Sequence, residues 1–99
     1  PPYYRLVYVY LKHRDEALLD TMAHVMADHL RAGLGERVLG PDKPPVARVQ
    51  TLFIRKIVVK IENTVSLSRA KQWLVQVQRE MQADERCKSL IVYYDVDPQ

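Results

Sequence analysis

The amino-acid sequence predicts one α+β domain of 99 residues with the split βαβ, or ferredoxin-like, arrangement. In this arrangement a four-stranded antiparallel sheet carries both helices on one face. Four stretches of the sequence have the composition or alternation of strands. Two longer stretches have apolar residues at helical spacing, and the combined order βαββαβ is the one that the arrangement requires. A chain of this length folds around one hydrophobic core, with a radius of gyration of about 13 Å.

The first strand and the first helix occupy residues 4–12 and 15–33. Residues 4–12 are rich in tyrosine and valine and contain no glycine or proline, which is typical of a strand. Asp15 is a good N-cap for the helix that follows, and the Gly33-Leu34-Gly35 segment ends it. We expect His29 to lie at the boundary of the core with a hydrogen-bond partner. The predicted apolar stripe consists of Leu18, Leu19, Met22, Val25, Met26, His29 and Leu30.

The middle of the chain predicts two neighbouring strands. Three prolines within residues 41–45 favour an edge strand that is interrupted by a proline loop, because proline cannot donate to a central ladder. Residues 51–61 give the strongest strand pattern. Alternate residues of this strand point to opposite sides. The side with Ile57, Val59 and Ile61 faces the core, and the side with Lys56, Val58 and Lys60 faces solvent.

The second helix and the last strand complete the pattern. Ser66 is a good N-cap for a helix over residues 66–83, after Asn63 and Thr64 break the preceding strand. Trp73 flanks the apolar stripe of this helix, and residues 90–96 form a last strand that ends at Asp97-Pro98. The stripe consists of Leu67, Ala70, Leu74, Val77 and Met81.

Positive charge is concentrated in one segment of the sequence. Residues 37–60 contain six basic residues against one acidic residue, whereas the whole chain has a net charge of only +3. Such asymmetry can give an anion a preferred face of the molecule. The alternative is that these charges only keep the surface solvated.

The open face of the sheet is the one group of residues with a plausible binding chemistry. Strand parity places Tyr8, Tyr10 and Tyr93 beside lysines on the side away from the helices. Such rings can stack on the bases of a single-stranded nucleic acid, at about 1 to 3 kcal/mol per base, while lysines neutralise phosphates. Alternatively, the rings and lysine stems only cover an exposed sheet, or another domain packs there. The predicted face consists of Leu6, Tyr8, Tyr10, Lys12, Lys56, Val58, Lys60, Ile91, Tyr93 and Asp95.

Sequence motifs for nucleotide binding are absent from the chain. No G-x-x-x-x-G-K-[ST] segment occurs, so we expect the 99 residues alone to hydrolyse no ATP and unwind no DNA. Gly33 and Gly35 follow a helix, and Val38 stands where the dinucleotide fingerprint needs its third glycine. Cys87 is the only cysteine, which excludes an internal disulfide and a zinc site built from cysteines. This cysteine usage fits a reducing, cytoplasmic setting.

Two pairs of residues have side chains of the types that form metal or acid–base sites. His24 and His29 are five residues apart, whereas two metal ligands on one helix face lie three or four apart. Asp95 and Asp97 share one side of the last strand, where they can hold a hard cation or act as an acid–base pair. The alternative for these two aspartates is that they are solvated carboxylates near the end of the chain.

The start of the sequence lacks the pattern of a signal peptide. It opens on Pro1-Pro2 without a methionine, and no run of about 18 apolar residues occurs. We therefore expect a soluble domain that is a piece of a longer protein.

Several segments together resemble a known family, the C-terminal domain of primosomal protein N′, or PriA, the replication-restart helicase. The resemblance covers essentially the whole chain, and it is the ordered combination of short segments that makes it specific. The segments are residues 1–6, 37–41, 45–49, 55–60 and 95–98. Members of this family are similar in fold to a protein of the small ribosomal subunit, which agrees with the βαββαβ order.

The resemblance implies a parent protein that is an ATP-dependent DNA helicase of the bacterial cytoplasm. Such a helicase recognises branched DNA at stalled forks and initiates replisome reloading, with ATP, magnesium and structural zinc bound outside this domain. The domain itself is implied to bind branched or forked DNA and to dock against the helicase core of the same chain. Single-stranded-DNA-binding protein and other primosome proteins are further expected partners, and no membrane is involved.

Eight residues are the candidates for DNA contact. Arg48 and Arg55 match the pattern of the family by position, whereas the lysines follow from charge and parity, and the tyrosines from parity. The candidates are Arg48, Arg55, Lys43, Lys56, Lys60, Tyr8, Tyr10 and Tyr93. A domain that only braces the helicase lobes and recruits proteins is the alternative. A ribosomal or regulatory domain of the same fold leaves the first and last segments unexplained.

Overall fold

A computed structural model describes residues 4–62 and 67–98 and confirms the split βαβ arrangement. Short 3₁₀ turns follow each helix, at Gly35–Arg37 and Glu85–Cys87. The radius of gyration is 13.2 Å, as expected for one core. In chain order the main elements are β1 (Tyr4–His13), α1 (Glu16–Leu34), β2 (Val38–Asp42), β3 (Arg48–Val49), β4 (Leu52–Glu62), α2 (Leu67–Gln82) and β5 (Ile91–Val96).

The sheet is antiparallel, with the strand order β2-β4-β1-β5. β4 pairs with β1 without interruption from Tyr4 opposite Glu62 to His13 opposite Phe53. The predicted edge strand that is interrupted by a proline loop is confirmed, because β2 and the two residues of β3 lie on either side of the loop and both pair antiparallel with β4.

The core lies between one face of this sheet and both helices. Leu74 on α2 and Val59 on β4 are 2% and 0% exposed, which confirms their predicted burial. Alternate residues of β1 and β4 reach the same cluster, as the period of a strand requires. The strand members of the core include Val7, Val9, Leu11, Ile57, Val59 and Ile61.

Helix α1 begins as predicted, but its buried side differs from the prediction. The Asp15 carboxylate accepts the backbone N–H of Leu18, and Gly35 ends the helix at a φ of 61°. His29 is exposed to solvent, so its predicted place at the core boundary is wrong. Small alanines at positions 23 and 27 are fully buried instead. The buried residues are Leu19, Met22, Ala23, Met26, Ala27, Leu30 and Leu34.

Helix α2 joins α1 through its single tryptophan. The indole Nε1 of Trp73 donates a hydrogen bond of 3.3 Å to the Leu30 carbonyl oxygen of α1. A Cβ at Gly33 would lie only 2.6 Å from this nitrogen, so the indole needs the absence of a side chain there. The predicted N-cap Ser66 lies outside the described residues. Within the described segments, no helix is long and apolar enough to cross a membrane.

Candidate nucleic-acid interface

The face of the sheet away from the helices carries a connected group of tyrosines. Tyr10 on β1 and Tyr93 on β5 lie directly opposite each other in the register, and their rings stack with centroids 4.9 Å apart. Tyr8 meets Tyr10 edge to face at 6.3 Å. The alternation of β1 and β5 is therefore enough to build one aromatic patch across two strands.

Three lysines lie over the rings of this face. The Nζ atom of Lys56 is 4.2 Å from the ring centroid of Tyr8, and that of Lys12 is 4.9 Å from the centroid of Tyr93. Lys60 lies 4.1 Å from the ring centroid of Tyr4. Each distance is within the range of a cation–π contact, in which the ring attracts the ammonium electrostatically. We call these seven residues the tyrosine–lysine face: Tyr4, Tyr8, Tyr10, Lys12, Lys56, Lys60 and Tyr93.

Sequence reasoning found most of this face and missed one member. The predicted residues Tyr8, Tyr10, Lys12, Lys56, Lys60 and Tyr93 do come together. Tyr4 was not predicted, although it shares the parity of Tyr8 and Tyr10 on β1 and could have been found from that signal.

Acidic residues border the face and limit its positive charge. Asp95 lies opposite Tyr8 in the register, on the β5 side. Glu62 lies opposite Tyr4, but its carboxylate is paired with the Arg37 guanidinium at 2.5 Å. The net positive charge of the face therefore lies along β1 and β4 rather than along β5.

The phenol of Tyr10 is adapted to this crowded setting. Burial raises its pKa above the ordinary value, and the nearby Tyr93, Asp95 and Tyr8 act in the same direction. Each of these causes disfavours the negatively charged phenolate. A tyrosine phenol is protonated at neutral pH, and these causes move its pKa further from neutrality, so the Tyr10 hydroxyl can donate a hydrogen bond.

Arg55 lies on the opposite side of β4. This position contradicts its predicted contact with DNA. Its guanidinium donates to the Asp20 carboxylate at 2.7 Å, to Glu16 at 2.8 Å and to the Ile54 carbonyl oxygen at 2.8 Å. The side chain is only 3% exposed. A phosphate would have to break both ion pairs and enter the interior, so Arg55 joins β4 to the first turns of α1 instead.

The pKa values of this ion-paired group reflect the same geometry. The hydrogen bond from Arg55 lowers the pKa of Asp20 below its ordinary value. Burial alone would lower the pKa of Arg55, but its hydrogen bonds to Asp20 and Glu16 outweigh that effect and raise it. The guanidinium therefore stays charged although it is buried.

The other predicted basic residues do not share one surface. Lys43 is exposed, with its Nζ 3.9 Å from the Glu16 carboxylate near the start of α1. Arg48 is exposed on β3, donates to the Gln50 carbonyl oxygen and lies 5.0 Å from the ring centroid of Phe53. Folding therefore divides the basic segment 37–60, and only Lys56 and Lys60 of that segment reach the tyrosine–lysine face.

Asp97, one of the possible metal ligands, is bound by groups of the protein itself. Its carboxylate forms an ion pair with the Arg5 guanidinium at 2.6 Å and accepts a hydrogen bond from the backbone N–H of Leu6. The guanidinium of Arg5 lowers the pKa of Asp97. Among residues 4–62 and 67–98, no group of three or more histidine, cysteine, aspartate or glutamate side chains could hold a metal ion. Cys87 is buried.

These features define a class of protein: a small split βαβ domain that presents an open antiparallel sheet lined with tyrosines and lysines. The family described as the primosomal protein N C-terminal domain matches residues 1–99, and the chain therefore belongs to that family. It is 30% identical to the replication restart protein PriA of Bacillus subtilis (strain 168) over 101 residues. That match covers 99% of this chain but spans only 12% of the length of the relative.

A solved structure supports the fold independently. The de novo designed protein Foldit4 superposes with a TM-score of 0.69, covering 97% of this chain and 98% of its own. The two sequences are only 7% identical, so this likeness concerns the fold alone.

Proposed function

We propose that this chain is the C-terminal DNA-binding and docking domain of an ATP-dependent replication-restart helicase. In this proposal the helicase recognises branched DNA at stalled forks and initiates replisome reloading. The observation that carries the proposal is the tyrosine–lysine face, where three ammonium groups and four rings lie on one side of the sheet. Membership of the primosomal protein N family supports the replication-restart context.

The remaining functions of the parent protein belong to other segments in this proposal. The helicase core, with ATP and magnesium, and the structural zinc lie outside the 99 residues, which themselves hydrolyse no ATP. The proposed partners are forked DNA, the helicase core of the same chain, single-stranded-DNA-binding protein and other primosome proteins. The setting is the bacterial cytoplasm.

Lys43 and Arg48 stay in the proposal as two separate exposed basic residues. Lys43 lies near the start of α1 and Arg48 on β3, and neither belongs to the tyrosine–lysine face. A forked DNA has more than one arm, so basic groups on two surfaces are compatible with one ligand. Their phosphate contacts contribute salt-dependent affinity without sequence information.

Docking of the helicase lobes without DNA contact is the second candidate function. Leu39 and Ile91 on the open side of the sheet are 49% and 46% exposed, and apolar residues of this kind are common in protein interfaces. An apolar cleft of about 170 Å³ also lies between α2 and β5. Its lining residues are Val7, Lys71, Leu74, Val75, Tyr94 and Val96.

A titration of fluorescently labelled forked DNA with the 99-residue chain, at several salt concentrations, tests the proposal. The informative variant carries Lys56→Gln and Lys60→Gln, which remove two charges from the tyrosine–lysine face but keep most of each stem. The matched control carries Lys71→Gln and Lys88→Gln, because both lysines are exposed elsewhere on the molecule. Melting temperatures of all three proteins show whether the fold is retained.

The proposal predicts weaker binding by the Lys56 and Lys60 variant alone. Its log–log salt slope should shrink by about one unit for each phosphate contact that is lost. Equal losses in both variants would mean that only net charge matters and would contradict the proposal. Unchanged binding in the Lys56 and Lys60 variant would favour the docking function.

A further inference from the structure

We propose that the tyrosine–lysine face binds the phosphate backbone of a nucleic acid rather than its bases, and that its tyrosines serve to position the lysines. This inference rests on the DNA-binding role proposed above and specifies what that site recognises. For rings beside lysines, the usual expectation is that the bases of a single strand stack on the rings while the lysines neutralise the phosphates.

The ring surfaces of this face are already engaged within the protein. Tyr93 has the ring of Tyr10 at 4.9 Å and the ammonium group of Lys12 at 4.9 Å from its own centroid. Tyr8 has the ammonium group of Lys56 at 4.2 Å and the ring of Tyr10 at 6.3 Å. A base that stacked on the ring faces covered by these contacts would have to displace a lysine or separate the Tyr10–Tyr93 pair. A phosphate, in contrast, needs no ring surface.

The backbone positions of the three lysines are spread along two neighbouring strands, with Lys12 on β1 and Lys56 and Lys60 on β4. Lys12 lies opposite Ile54 in the β1–β4 register, two residues before Lys56, and Lys60 follows four residues later. At about 3.4 Å per residue, the line from the position of Lys12 to Lys60 spans roughly 20 Å. One strand of B-DNA carries a phosphate about every 3.4 Å, so this length corresponds to about six phosphates. Contacts between ring and ammonium reduce the freedom of side chains that otherwise lose much entropy on binding.

Two further features support a phosphate path over β1 and β4. Tyr10 lies opposite Lys56 in the register, and its phenol is protonated at neutral pH as in an ordinary tyrosine. It is therefore a donor to a phosphate oxygen. Asp95 repels phosphate from the β5 side, where it lies opposite Tyr8. The positions of the lysines and of Asp95 together indicate that the nucleic-acid backbone runs along β4.

The test compares two labelled oligonucleotides of about 20 nucleotides, one of thymidylate and one built only from abasic sites. They carry the same phosphates, and the second has no bases to stack. Each is titrated with the 99-residue chain, with Lys12→Gln, with Tyr93→Leu and with the control Lys88→Gln, at salt concentrations from about 50 to 200 mM. Forked DNA is titrated in parallel, and a melting curve for each variant shows that it is folded.

Binding of the two oligonucleotides within about twofold of each other is the expected result. Three phosphate contacts on a single strand predict a log–log salt slope near −2, and Lys12→Gln should reduce it by about 0.7. Tyr93→Leu should weaken both ligands by the same factor, because it removes the ring over which Lys12 lies.

Two other outcomes separate this inference from the proposed function. Binding of thymidylate at least tenfold more tightly than the abasic strand, with a Tyr93→Leu effect on thymidylate alone, would overturn the inference and leave the DNA-binding role standing. Failure of the chain to bind forked DNA or either strand would overturn the proposed function itself.

Discussion

Replacing Arg55 by alanine tests whether this residue supports the fold or contacts DNA. The structure predicts a loss of stability, because Arg55→Ala removes two ion pairs between β4 and α1 and the buried stem that carries them. The salt dependence of DNA binding should stay the same, since the guanidinium does not reach the surface.

The size of the loss follows from the exposure of each partner. Hydrogen bonds to charged groups contribute about 1.5 to 3 kcal/mol each, which would give about 3 to 6 kcal/mol for the two carboxylates. The side chains of Glu16 and Asp20 are 44% and 48% exposed. Water therefore hydrates both carboxylates when the guanidinium is removed, which offsets part of the lost free energy. We therefore expect a decrease of about 2 to 4 kcal/mol in the free energy of unfolding. For a domain of this size, that corresponds to a melting temperature lower by roughly 10 to 30 °C.

Urea denaturation and a salt series of fork titrations on the same protein measure both quantities. Arg48→Ala is the matched control, because Arg48 is exposed and its loss should change the stability by less than about 1 kcal/mol. A stability loss below about 0.5 kcal/mol for Arg55→Ala, together with a smaller salt slope, would refute the reasoning. It would instead support Arg55 as a DNA contact.

Three further changes test the fold and its electrostatics. Leu74→Ala should lower the free energy of unfolding by about 2 to 5 kcal/mol in urea, because Leu74 is 2% exposed in the core; a loss under about 0.5 kcal/mol would contradict its placement. Gly33→Ala, which in an open helix would stabilise by up to about 1 kcal/mol, should bring no gain here and should shift the fluorescence of Trp73, because the new Cβ would meet the indole at 2.6 Å. An unshifted spectrum with increased stability would argue against that contact. The lowered pKa of Asp20 predicts acid sensitivity: its contribution is fully present above the ordinary pKa of 3.8 and is lost as the pH falls through the lower folded value. Urea denaturation near pH 7 and near pH 3 should therefore differ less for Asp20→Asn than for the unchanged chain, and an equal difference would contradict the assignment.

Local rules were sufficient to predict the element order and the open face. Strand alternation separates Lys56 from Ile57 whatever the tertiary structure, and it likewise places Tyr8, Tyr10 and Tyr93 on one side. The Asp15 cap is equally local, since it depends on a side chain and a backbone N–H three residues later.

What could not be predicted depends on packing between elements. The same alternation puts Arg55 on the side of Ile57 and the core, but composition treats it as one more charge in a basic segment. Only the docking of α1 reveals that Glu16 and Asp20, four residues apart on one helix face, meet its guanidinium. The exposure of His29 has a similar cause, because the side of α1 that is buried depends on how the helix packs against the rest of the core.

The most direct test of the central claim maps DNA onto the chain residue by residue. Backbone amide signals and the side-chain Nε–H signal of Arg55 are recorded by NMR on the isotopically labelled 99-residue chain while forked DNA is added. The account predicts that the largest shifts fall on β1, β4 and β5 around Tyr10, Lys56 and Tyr93, with Arg55 Nε unchanged. Shifts concentrated on α2, or equal shifts over the whole surface, would contradict the claim that the tyrosine–lysine face binds DNA.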